Sequence, residues 1–154
     1  MRAVYLSVLV LALGAPAVSA ADVTFTGVVV NTCTLVATPG VLGLSTDGTK
    51  LSSTIGSGVS GEVAIVSLGI NTITVGTPSM TTWPSGYNSA GQVVRVAYHG
   101  LNLLSSVIQA LTGTTTTFDI GILPLTVLRV DNEVTNSNGF VQGTYQTTTV
   151  VTCS

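Results

Sequence analysis

The sequence predicts an all-β protein arranged as a Greek-key sandwich or barrel. Three observations carry this. Runs rich in Val, Ile, Thr and aromatic residues recur along the chain, enough for seven or eight short strands. Gly, Pro and Asn clusters punctuate them at turn-like intervals. No alternation of strand and helix patterns supports a parallel sheet.

The first twenty residues read as a secretory signal. Arg2 supplies a positive charge, an apolar run follows, and Val18 and Ala20 suit cleavage before Ala21. Removing them from the 154 residues leaves 134, a length that suits one domain over 21–154. No later segment is long and apolar enough for a helical membrane span.

The opening strand-like run is "VTFTGVVV", residues 23–30, with Val23, Phe25, Gly27 and Val29 on one face. A short apolar strand is expected in "TPGVLGLS" (38–45), after Pro-Gly punctuation. A Gly- and Ser-rich connection (46–61) with an Asp-Gly turn comes next. "EVAIVSLGINTITV" (62–75) is strand-like, and its "GIN" either bends it or separates two strands. The longest loop-like segment, 77–92, holds Trp83 and Tyr87.

"VVRVAYHG" (93–100) alternates, with Val94, Val96 and Tyr98 opposite Val93, Arg95 and Ala97. In 101–113 the apolar stripe Leu101, Leu104, Ile108 and Leu111 points to a short helix or irregular turn. Strand character returns over 114–131, with Pro124 at an interruption or edge. Residues 132–140 read as a turn-rich loop. The chain closes on an alternating strand in which Tyr145, Thr147, Thr149 and Val151 share one face.

Cys33 and Cys153 are the only cysteines. In an exported chain they are expected to join, which brings the end of the first strand beside the end of the last. They leave no set of four ligands for structural zinc.

Charge excludes some functions. After the signal only nine residues are charged: Lys50, Arg95 and Arg129 against Asp22, Asp47, Glu62, Asp119, Asp131 and Glu133. Phosphate binding needs clustered Lys or Arg, so nucleic acid is not an expected partner. Low charge also permits self-association.

No catalytic constellation stands out. His99 has no nucleophile elbow beside it, and the cysteines are committed to each other. The acids are scattered, and Asp131-Asn132-Glu133 lacks the pattern of a calcium loop. No enzyme activity, cofactor or metal is expected. Trp83 and Tyr87 could form a ligand platform, since loops carry recognition, or fold back onto the core.

Two stretches resemble a known family. "VTFTGVVVNTCTL" (23–35) is similar to the opening of chaperone–usher pilin subunits, including the spore-coat-U-like branch. There an alternating segment with a Phe-x-Gly element leads to a cysteine. "GFVQGTYQTTTVVTC" (139–153) is similar to their closing strand. The resemblance implies an incomplete immunoglobulin-like sandwich, completed by a strand from a neighbouring copy after a periplasmic chaperone has lent one. It also implies an outer-membrane usher and a fimbrial location, reached through the periplasm. Residues 23–30 would be the donor strand and 144–152 the edge that receives it. Whether 23–30 pair within their own chain or with a neighbour stays open at this level. The competing reading is a self-complete monomeric adhesion or binding module that uses the 77–92 loop.

Overall fold

The computed structural model describes residues 24, 26, 27, 32–101, 106–121 and 125–154. The expected signal segment, 1–20, lies outside them. Every regular element among the described residues is a strand.

Five strands form the body of the large antiparallel sheet. β1 (Thr32–Thr38) pairs with β4 (Gly61–Leu68), and β4 with β10 (Leu125–Thr135). β10 then pairs with β7 (Val93–Leu101), and β7 with β8 (Ser106–Thr112). Two short strands, β2 (Gly43–Leu44) and β3 (Lys50–Ser52), continue along β10 beyond the end of β4.

A smaller sheet joins β5 (Asn71–Val75) to β9 (Thr116–Ile120) on one side and to β12 (Val151–Cys153) on the other. β6 (Ser79–Thr82) and β11 (Gln146–Thr148) make a two-stranded ribbon.

Both sheets contribute to one apolar core. Val63, Ile65, Val96, Tyr98 and Leu128 come from the large sheet, and Ile73, Val75 and Ile120 from the small one. These side chains occupy alternate strand positions, so the period-two pattern places one face of each strand inward. A second cluster, Leu51, Met80 and Val134, lies further along the molecule. The Tyr98 hydroxyl and Thr116 Oγ1 share a hydrogen bond of 2.8 Å, tying the large sheet to the small one.

The outer face of the large sheet gathers most of the charge. Glu62, Arg129 and His99 stand in one cross-strand row, and Glu133 lies opposite Arg95 in another. Lys50 pairs with Glu133 at 3.1 Å. Asp131 accepts hydrogen bonds from the Ser53 hydroxyl at 2.8 Å and from the Ser60 hydroxyl. The Arg129 Nε–H donates to Ser60 Oγ at 2.8 Å. This network pins the 53–60 connection over the sheet.

The chain changes sheets at Gly69, whose φ of 88° lies in the left-handed region. The "GIN" element therefore separates two strands, β4 and β5.

Several expectations need correction. The segment expected as a 77–92 loop begins with strand β6, and the 46–61 connection contains β3, because each finds a backbone partner, β11 and β10 respectively. Residues 106–112 form strand β8 rather than a short helix or irregular turn, and β7 runs on to Leu101; residues 102–105 lie outside the described set. The apolar stripe misleads because Ile108 is 74% exposed, while Val107 packs on the core. Pairing with β7 satisfies the backbone and overrides the local periodicity.

The closing run is two strands, not one. It shifts register between Gln146 and Thr147 and leaves the ribbon with β6 to join β5 at Val151. Asp131, Asn132 and Glu133 stand in β10, not in a loop, because that strand continues to Thr135.

β1 defines a long axis. One end is the disulfide pole, where Thr32 lies opposite Leu68. The other is the far pole, where Thr38 lies opposite Glu62 and Val41 bridges to Val59. Backbones pack closely there: a Cβ on Gly43 would sit 2.0 Å from the Ile55 carbonyl oxygen, so no larger residue fits.

Candidate groove between the first and last strands

Cys33 in β1 and Cys153 in β12 form a disulfide, with Cα atoms 6.2 Å apart. This is the pairing expected from the sequence. It joins the edge of the large sheet to the edge of the small one. Among the described residues, β1 has ladder contacts only with β4, and β12 only with β5.

The backbone of the last strand has a definite polarity. Ser154 exchanges two hydrogen bonds with Thr72, and the Val150 carbonyl accepts from Gly76 N–H at 2.8 Å. In an antiparallel ladder alternate residues bond to alternate sides. The N–H and C=O groups of Val151 and Cys153 therefore face away from β5, on the side of β1.

From this seam toward the far pole the two edges diverge and enclose a groove of about 820 Å³. Ala37 and Thr38 from β1 line one wall, and Tyr145, Thr147, Thr149 and Val151 line the other. Leu51, Val63 and Val130 contribute apolar surface between them.

Two devices hold the second wall. The first is polar. Asn132 lies on the core side of β10, where its Nδ2 donates to Thr147 Oγ1 at 2.9 Å. The Thr149 hydroxyl donates to Asn132 Oδ1, also at 2.9 Å. The second is aromatic. Tyr87 stacks on Phe140 with centroids 5.6 Å apart, and Tyr145 meets both rings edge-on at 5.2 Å. The Tyr145 hydroxyl donates to the Val141 carbonyl at 2.8 Å, which closes a local turn.

All four closing-strand residues singled out from the sequence line this groove, although they belong to more than one element. Of the opening-segment residues, Val23, Phe25 and Val29 lie outside the described residues. Gly27 has open space where a Cβ would project. The 77–92 pair is separated in role. Tyr87 is built into the aromatic cluster; its hydroxyl donates to Gln92 Oε1 at 2.8 Å, and burial pushes its pKa up. Trp83 stays 52% exposed.

His99 occupies its cross-strand row between Arg129 and Ile108. Among the described residues no group of three or more His, Cys, Asp or Glu side chains could hold a metal ion, and no helix is long and apolar enough to cross a membrane.

Sequence reasoning missed Asn132, reading it as part of a solvated turn. The available signal was its place in the alternation Leu128, Val130, Asn132, Val134, which aims it inward with the apolar residues.

No family model matches the chain, and neither a curated protein nor a solved structure is matched in searches of those.

Proposed function

We propose that this chain is an exported structural subunit of a cell-surface fibre, polymerising by β-strand addition. In this reading the fold is an immunoglobulin-like sandwich lacking one edge strand, and residues 23–30 of a neighbouring copy supply it. A periplasmic chaperone and an outer-membrane usher would handle the subunit before assembly.

One observation carries the reading. The groove lies between the two edges, β1 and the closing segment, with apolar side chains along it and main-chain groups of Val151 facing its side. An inserted extended segment would satisfy those backbone groups and cover the apolar surface together. The alternation of Val23, Phe25 and Val29 suits such an insertion. The disulfide is compatible with export.

The test is a denaturing gel of natively exported protein, unboiled and boiled, without reductant. Strand-linked polymers give a ladder that collapses to monomer on boiling, and Phe25→Asp abolishes it. Monomer in both wild-type lanes would reject polymerisation. The exposed indole of Trp83 then favours the second reading, a monomeric binding module, tested by loss of ligand binding in Trp83→Ala.

A further inference from the structure

We infer that β8 is a self-pairing edge, at which two copies of this chain join their large sheets antiparallel about a two-fold axis at Ile108. This contact is independent of strand addition, because β8 lies at the opposite edge of the large sheet from β1 and the groove.

Among the described residues the ladder of β8 runs only to β7. A row of main-chain N–H and C=O groups therefore faces outward along its other side. Proteins blunt such edges with charge, proline or brevity. β9 carries Asp119, and β2, β6 and β11 are two, four and three residues long. β1 and β12 are tied to each other by the disulfide. β8 has none of these protections: its seven residues, Ser106–Thr112, include no charge, proline or glycine. Its Ile108 is 74% exposed, the most of any large apolar side chain among the described residues.

Register and chemistry select the occupant. Only an extended strand satisfies the outward main-chain groups. It must also suit an edge that is apolar outside, at Ile108, and packed on the core inside, at Val107. β8 of a second copy meets both demands. A two-fold axis normal to the sheet keeps inner faces inner, so it sets only residues of the same face opposite one another. The regular part of β8 ends at Gln109, because the ladder with β7 shifts register between Val96 and Tyr98. Centred on Ile108, the axis sets Ile108 against its own copy and Val107 against Gln109, within that regular part. Centred on Val107, it would set each isoleucine against Ser106. The first arrangement covers the two exposed isoleucines with each other. No like charges stand opposite in it, since the strand has none. The contact uses the same patch on both copies and closes as a pair, which in a fibre ties two filaments side by side.

The test uses the full chain carrying Phe25→Asp, to remove any strand-donated polymer. Sedimentation equilibrium across a range of concentrations shows monomer and dimer. Ile108→Lys sets two like charges opposite at the axis and weakens dimerisation at least about tenfold. Leu68→Lys, at another exposed apolar site outside β8, leaves it unchanged. Residues directly opposite in an antiparallel pair have Cα atoms about 4.5–5.5 Å apart, within the reach of a disulfide. Ile108→Cys therefore gives a covalent dimer on oxidation. Ser106→Cys does not, because four residues of strand, about 13 Å, offset it from its own copy. A monomer at every concentration would overturn the contact, and so would equal crosslinking of the two cysteine variants. In the chain with Phe25 intact, Ile108→Lys leaves the unboiled ladder as it is in wild type. A ladder lost in that variant would overturn self-pairing by making β8 the edge that receives residues 23–30.

Discussion

Asn132 and Thr147, fifteen residues apart in sequence, are joined across the interior by a 2.9 Å hydrogen bond from amide to hydroxyl. Thr149 completes the arrangement by donating to the same side chain. One amide on β10 thus sets the height of the groove's second wall. Asn132→Ala removes both bonds and leaves two threonine hydroxyls without their partner. Urea unfolding should show a loss of roughly 1–3 kcal/mol. Binding of a synthetic peptide of residues 21–31 should weaken along with it. Unchanged peptide affinity would mean the wall is held by other contacts.

The disulfide closes a loop of 120 residues in sequence separation. Replacing both cysteines by serine should cost roughly 4–5 kcal/mol on the loop-entropy account. Reversible denaturant melts of the two proteins measure this directly. A loss below about 1 kcal/mol would show that the unfolded chain without the disulfide is already compact near this seam.

Trp83 and Tyr87 should respond oppositely to truncation. Tyr87→Ala dismantles a three-ring cluster and should destabilise by roughly 2–3 kcal/mol. Trp83→Ala, at a half-exposed site, should change stability by no more than about 0.5 kcal/mol. Thermal melts of the pair distinguish a packing role from a surface role. Equal losses would place Trp83 in the core after all.

Asp47 gives a pH prediction. The Ser45 hydroxyl donates to its carboxylate, and the Thr49 N–H donates to the same oxygen at 3.1 Å. These bonds, the serine's first, lower the pKa from 3.8 to about 2. The charged form is favoured in the folded state. Its stabilising effect is present above the ordinary carboxylate pKa and is lost as pH falls through the folded value of about 2. Carboxyl NMR titration should place the midpoint near that value, and Ser45→Ala should raise it. A wild-type midpoint of 3.8 would mean that the turn is open in solution.

Much of the β character was legible because strands declare themselves through alternation. Val94, Val96 and Tyr98 already sorted correctly onto the inner face of β7. The cysteine pairing was legible for a different reason: two thiols in a chain read as exported leave one choice. Local pattern failed where tertiary pairing decides. The stripe over 101–113 fits a helix, yet the edge of β7 takes residues 106–112 as a strand. The uniform Thr/Val run at the C-terminus contains no visible break, because the change of partner at Thr149 is set by Asn132 and by β5. Of the groove, the sequence showed only that Tyr145, Thr147, Thr149 and Val151 alternate on one face, not that they fall in more than one element. The contributions of Leu51, Val63 and Val130 come from three separate strands, and no local spacing joins them.

The closure between Cys33 and Cys153 also governs how the molecule behaves under load. A force applied between the segment ahead of Cys33 and the C-terminal Ser154 passes through the sulfur bridge. Its path spans 6.2 Å between the two Cα atoms, and the intervening domain carries no tension. Stretched in this way the oxidised chain has no hidden length to release. Reduction would free the enclosed residues, a contour of roughly 400 Å at the reach of an extended chain. A single covalent bond thus separates an inextensible link from a long elastic one.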